Sequence, residues 1–345
     1  MTIMTIMLTN SPQRLRLLLF AMVFFIGFLG VKGAMFGIAT GGHYKVWGPP
    51  DSFLADNNDI GLAMVMIAPL CFALRETVRK KWQSLTLLGT GLSLIMSAVL
   101  TYSRGTLLGI ATISLFYFIW GTAKQKIIIA IGGVFLVVTG FDFLPPEWFG
   151  RMNTIETYEE DTSANMRLNS WHMSFNLAED NLLGGGFKCF SLEQYLRYAP
   201  NADLGKSHTA NGGVVGSTAH SIYFQVLATQ GFIGLAIYLF CLSSILVSLF
   251  RLYRLSHHLP NGDLLSSYAR GLSVSIFGYM VNGAFLSRAF FDLFWAIFAA
   301  AICLKYFVYS GKWFEDAWTE ETGEVKDISD IATTGRIGET SLQTS

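Results

Sequence analysis

The sequence predicts an all-α polytopic membrane protein: a bundle of about eight transmembrane helices with one long helical extracytoplasmic loop. Three observations carry that expectation. Hydrophobic residues make up 52% of the chain and charged residues only 14%, with a mean hydropathy of +0.44, too apolar for an ordinary soluble domain. The apolar residues fall into separate runs, each near the minimum length a bilayer demands. Short Lys/Arg clusters recur at alternate ends of those runs, as the positive-inside rule requires of cytoplasmic loops.

Taken in order, Leu17 to Phe36 is the first span, entered past Arg14 and Arg16; it is longer than a signal core and lacks a small-x-small cleavage site. The loop Gly41 to Pro50 follows on the outer side. Asp56-Asn-Asn-Asp59 leads into a span over Ile60 to Leu74, and Arg75, Arg79, Lys80 and Lys81 mark the cytoplasmic side behind it. Spans over Ser84 to Tyr102 and Thr106 to Trp120 form a tight hairpin with Arg104 in its outer turn. Lys124 and Lys126 return the chain inside, and Ile127 to Phe141 crosses outward again. The last three spans are Gly231 to Phe250, Gly271 to Leu286 and Ala289 to Leu304. The organisation is therefore 1–142 amino-terminal spans, 143–217 an extracytoplasmic (periplasmic) loop, 218–311 carboxy-terminal spans and 312–345 a polar, disordered cytoplasmic tail.

The long loop has structure of its own. Ser163 is placed to cap a helix reaching about Glu179, with Arg167, Trp171 and Phe175 at four-residue intervals on one face, a face suited to packing on the membrane surface. Gly184-Gly-Gly186 stops it. Ser191 to Tyr198 reads as a second short helix, and Asn201 to Gly216 as a Gly/Asn-rich connection. Ser217 or Thr218 then caps a helix with two or three turns above the bilayer, which puts His220 in a first turn.

Four residues in this frame invite chemistry. Arg104 sits in a Ser103-Arg104-Gly105 turn where small neighbours let backbone and guanidinium approach a phosphate, although snorkelling to the headgroups explains such an arginine equally well. Arg167 shares its helix face with Trp171. His220, at a helix start, is held neutral by the dipole and can accept a proton from an attacking hydroxyl. Arg288 lies one turn from Asp292, an expected structural ion pair, and is a low-grade candidate with Ser103 and Trp171. Arg151 and Arg197 read as surface residues.

Several classes are set aside. No basic face long enough to track a nucleic acid is present. Cys71, Cys189, Cys241 and Cys303 form no metal or disulfide spacing, and His43, His172 and His208 have no carboxylate or cysteine at ligand spacing, so no metal and no cofactor are assigned. A transporter would want ionisable groups deep in its spans and two related halves; the sequence has only Asp292 well inside a span and no internal repeat, so transport ranks second rather than being set aside.

The ordered set Asp56-Asn-Asn-Asp59, Thr101-Tyr-Ser-Arg104-Gly, Met166-Arg167 with Trp171, Leu183-Gly-Gly-Gly186-Phe, Ala219-His220-Ser-Ile-Tyr and Gln230-Gly-Phe-Ile-Gly234 resembles the O-antigen ligase and polymerase superfamily. It is most similar to the exosortase A system-associated O-glycosylation ligases, whose likeness extends to Val31-Lys-Gly33 and Tyr44 to Asp59. Family members usually carry several more spans ahead of the Trp47-Gly-Pro-Pro50 loop, where this chain has one. The resemblance implies a GT-C-like, metal-independent glycosyltransferase of the inner membrane, with both termini cytoplasmic. It would move a glycan from a polyprenyl (undecaprenyl) diphosphate carrier to an acceptor hydroxyl at the periplasmic face. On that likeness Arg104 and Arg167 hold the diphosphate and His220 is the catalytic residue. Polymerisation of a polysaccharide, or a non-catalytic or transport role in its export, are the alternatives.

Overall fold

The computed structural model describes residues 1–121, 126–127, 130, 148, 162–201, 206–208, 214–259 and 262–313. The expected span over 127–141, Arg151, the cap at Ser163, the side chain of His208 and nearly all of the 312–345 tail lie outside the described residues. Within them the chain forms ten α-helices: α1 (Thr2–Leu8), α2 (Pro12–Ala39), α3 (Asn57–Arg75), α4 (Lys81–Val99), α5 (Arg104–Trp120), α6 (Thr162–Asp180), α7 (Leu192–Tyr198), α8 (Ile222–Ser256), α9 (Asp263–Gly283) and α10 (Asp292–Tyr309).

Five of these, α2, α3, α4, α8 and α10, are long and apolar enough to cross a bilayer, and the chain is a multi-pass membrane protein. Helix α5 is apolar but has 17 residues. At ~1.5 Å per residue it falls a few ångströms short of a ~30 Å hydrocarbon core. Helix α9 has the length but is interrupted by polar residues, among them Arg270. Of the seven expected spans that fall within the described residues, five are thus met, and the other two correspond to α5 and α9, packed among them.

Local chemistry sets most boundaries. Ser11 caps α2 by accepting from the Arg14 amide at 3.3 Å, with Pro12 at the first helical position, where its missing N–H costs nothing. Asp56 caps α3 through the Asn58 amide at 2.8 Å, and Ser103 caps α5 through Thr106 at 3.3 Å. Helix α3 is the axis of the bundle: apart from its two ends nearly every residue is buried, walled in by α2, α4, α5 and α9. Helices α2 and α4 approach closely along Gly27, Gly30, Gly33 and Gly37; a Cβ at Gly33 would stand 2.1 Å from the Ser97 hydroxyl. Small residues serve this purpose in bilayers, where lipid tails give helices no hydrophobic reason to associate.

The α6 face that carries Trp171 and Phe175 packs onto α8. Trp171 stacks on Phe224 (ring centroids 5.0 Å apart, planes at 6°) and Phe175 meets Phe232 edge-on at 5.6 Å. A small second core of Met173, Leu177, Cys189, Tyr195 and Ala228 lies beneath. The second short helix is present as α7, and Ser191 caps it rather than being its first residue. The Gly/Asn-rich connection contains a two-stranded antiparallel ribbon, β1 (Lys206–His208) with β2 (Val214–Gly216), an exception to the all-α expectation. Helix α8 is two helices meeting at a kink at Gly231 (φ 66°, ψ −166°). The loop reaches this kink directly: the Gly185 amide donates to Ala228 O at 2.8 Å, and a Cβ on Gly231 would stand 2.0 Å from Leu182 O.

The bundle's two ends differ. At one end Arg16 donates to Thr77 O, Arg75 Nε to Ser84 Oγ, and Arg270 pairs with Glu76, which also accepts from Ser267. At the other, α3, α5, α8 and α10 begin and α2 and α9 end. There the Tyr102 hydroxyl donates to Gly42 O at 2.7 Å and Asn57 Nδ2 to Thr101 O at 2.7 Å.

Candidate active site

Arg104 is the first residue of α5, placed there by the cap at Ser103 and by Tyr102, whose left-handed backbone (φ 59°) turns the hairpin sharply. Arg167 comes from α6, held by the Trp171 indole, which donates to Ala219 O at 2.8 Å. The two arginines, one at the start of α5 and one within the long loop, line one cavity with Asn58, Ser103, Gly105, Asn282, Phe285 and Leu286. Its volume is about 20 Å³, the space of one water molecule or one phosphate oxygen. None of the described residues lining it is a carboxylate, and two guanidiniums stand there beside the positive end of α5, an arrangement that favours negative charge.

His220 does not lie in a helical first turn, and neither Ser217 nor Thr218 is the cap. Helix α8 starts at Ile222 after Ser221, whose side chain makes no capping bond. His220 instead takes a left-handed backbone (φ 47°), unusual for a residue with a Cβ, and its amide donates to Ser287 Oγ at 2.7 Å. Burial is the main reason its imidazole titrates below the usual histidine range, and the Arg167 guanidinium pushes the same way; Asp56 and Asp59 oppose them. Burial and Arg167 thus favour the neutral imidazole, where the sequence suggested the helix dipole. The charges that act on it, Arg167, Asp56 and Asp59, put His220 near Arg167 and the start of α3, although it is not among the described residues that line the cavity.

Arg288 pairs with Asp59, not with Asp292. Its Nε donates to Asp59 Oδ1 at 2.5 Å and its Nη2 to Oδ2, a bidentate grip that ties the α9–α10 connection to the start of α3. The reading of Arg288 and Asp292 as one helical turn fails because α10 begins only at Asp292, so Arg288 is not helical. Neighbouring bonds close the frame: Ala289 N donates to Gln225 Oε1 at 2.9 Å and the Tyr223 hydroxyl to Met280 O at 3.0 Å.

Sequence reasoning missed Asn58, Asp59, Asn282 and Ser287 as parts of this site. Asn282 carried a signal, being an amide inside an otherwise apolar expected span. Asp59 carried one too, as an acidic group at a helix end on the same side as an arginine with no settled partner. Arg197, left as a surface residue, lies 3.7 Å from exposed Asp180, and His172 is exposed. Among the described residues no group of three His, Cys, Asp or Glu is placed to hold a metal ion.

No curated protein matches the chain. Residues 88–239, from the middle of α4 through the kink of α8 and with Arg104, Arg167 and His220 among them, match the model of the family described as O-antigen ligase (Wzy_C), and the chain carries a domain of that family.

Proposed function

We propose that this protein is a glycosyltransferase of the O-antigen ligase type. It transfers a glycan from a polyprenyl (undecaprenyl) diphosphate carrier to an acceptor hydroxyl, as in protein O-glycosylation by the exosortase-associated branch. The observation that carries the reading is the convergence of Arg104 and Arg167 on one cavity, with His220 close enough to Arg167 to feel its charge. The acceptor oxygen attacks the anomeric carbon, its proton passes to the His220 imidazole, and the bond from that carbon to the phosphate oxygen breaks, its electron pair leaving on the diphosphate. Charge grows on the leaving group, where two guanidiniums supply the stabilisation that a metal ion provides in other enzymes.

The arginine-rich end of the bundle, with Arg14, Arg16, Arg75, Arg79, Lys80, Lys81 and Arg251, is opposite the site. Under the positive-inside rule that supports a cytoplasmic assignment for it and a periplasmic one for the site.

The test is glycan transfer by the purified protein in nanodiscs from a polyprenyl-diphosphate-linked oligosaccharide. Arg104→Ala, Arg167→Ala and His220→Ala each reduce transfer at least 100-fold, the usual scale for an acid–base or charge-stabilising group, with the protein inserted and abundant. Normal transfer by all three variants refutes the reading.

A further inference from the structure

Asn282 sits in the last turn of α9 with its side chain fully buried, and neither its Oδ1 nor its Nδ2 has a hydrogen-bond partner. A buried amide left unsatisfied on both atoms is costly, and natural structures keep few of them. The amide lines the Arg104–Arg167 cavity. Directly opposite is the start of α5, where only glycine fits comfortably: a Cβ at Gly105 would stand 3.1 Å from Asn282 Oδ1. Gly105 is also the second residue of that helix, whose N–H has no acceptor within its own helix.

The polar character of the cavity says what would satisfy this amide. Two guanidiniums and a helix N-terminus are donors, the Ser103 hydroxyl already accepts from Thr106 and so has its proton to give, and no carboxylate is among the described residues that line it. In such a wall an incoming oxygen is anionic, and it is Asn282 Nδ2 that turns to it. We propose that Asn282, with the first turn of α5, forms an anion subsite for one phosphate oxygen of the donor's diphosphate. This rests on the ligase reading above and adds a residue outside the family-matched stretch. The bond from the anomeric carbon to phosphate breaks with its electron pair on oxygen, so the diphosphate gains one negative charge and the Nδ2–H···O bond strengthens on the way to product. Asn282 is then a substrate-positioning residue that favours the departing group over the bound donor.

The idea separates cleanly from a structural role. If the amide existed to hold the fold, Asn282→Leu would destabilise it. If it waits for a ligand, an apolar side chain of similar shape removes two unsatisfied atoms and thermal stability holds or rises. The experiment uses the full chain in nanodiscs, with farnesyl diphosphate as probe and binding followed by calorimetry. Wild type binds, Asn282→Leu binds roughly tenfold or more weakly, the scale of one hydrogen bond to a charged group, and its melting temperature is not lowered. Asn282→Asp, which sets a carboxylate against the phosphate, weakens binding further. Unchanged binding in Asn282→Leu beside loss in Arg104→Ala overturns the subsite alone, as does a fall in melting temperature that tracks lost affinity. Failure of the wild type to bind the probe overturns the subsite and the ligase reading together.

Discussion

The Arg288–Asp59 pair fastens the connection between α9 and α10, and that connection carries Ser287, which holds the His220 amide. Breaking the pair therefore tests how the site is kept in shape. The Asp59 side chain is 6% exposed and that of Arg288 34%, so the pair lies between two limits. An exposed pair is worth ~0–1 kcal/mol, and removing one partner of a fully buried pair costs ~3–5 kcal/mol. With Arg288 a third open to solvent, Asp59→Asn is expected to cost about 2 kcal/mol, several degrees of melting temperature in a domain of this kind. A double-mutant cycle with Arg288→Gln isolates the term. The assay is thermal unfolding in nanodiscs together with glycan transfer, and a coupling energy near 2 kcal/mol is expected, with transfer falling in both single variants. Additivity within ~0.5 kcal/mol refutes the reasoning, because the two side chains would then not share one interaction.

Four further outcomes follow from the same geometry. The acid limb of kcat/KM for transfer lies below the ordinary histidine range, because the neutral His220 imidazole is the active form and its titration is lowered by burial and by Arg167. Arg167→Gln removes one of those causes and moves the limb toward higher pH, whereas Asp59→Asn moves it lower; an unmoved limb in both excludes His220 as the titrating base. Ser287→Ala frees an amide from a left-handed backbone costing ~1–2 kcal/mol, so kcat drops about tenfold with little change in KM for the donor, and an unchanged kcat refutes the hold. Gly231→Ala drives a Cβ against Leu182 O and costs more than ~2 kcal/mol, while Gly186→Ala, at a similar φ but with open space around it, costs only about 1; equal melting temperatures for the two variants refute the contact. Transfer proceeds in excess EDTA, and activity lost to chelation and restored by Mg²⁺ overturns metal independence.

Much of the bundle was legible because hydropathy and capping act locally. The starts of α3, α5 and α7 follow from Asp56, Ser103 and Ser191, each able to satisfy an amide two or three residues on. The failures are long-range. A span was expected to start at Gly271, yet α9 begins at Asp263 and carries Arg270 inside it, where Glu76, just past the end of α3, neutralises it. Arg288 was assigned a partner four residues away, and its true partner is 229 positions distant. His220 was put into a helix because Ser217 and Thr218 are good caps, but a single bond from its amide to Ser287 holds the backbone left-handed and delays the helix to Ile222. A ribbon of three-residue strands is too short for alternation to show in sequence.

The position of the site follows from the same energetics that made the spans readable. Arginines deep in hydrocarbon are expensive, so Arg104 belongs at the start of α5 rather than one turn further along it. Several chain segments that return to this end contribute polar groups: Asp59 and Asn58 from α3, Arg104 from α5, Asn282 from α9, Arg288 and Ser287 from the turn before α10, and Arg167 from the loop. On the proposed reading, the cavity of about 20 Å³ holds a phosphate oxygen, with the rest of the diphosphate at its mouth and the sugar beyond it. Arg167 lines the cavity and also acts on His220, so the anomeric carbon belongs on the Arg167 side, between the held oxygen and the imidazole. That ordering gives the two arginines unequal parts. Arg104, inside the cavity with Asn282, governs affinity for the diphosphate, whereas loss of Arg167 changes affinity and the titration of the base together.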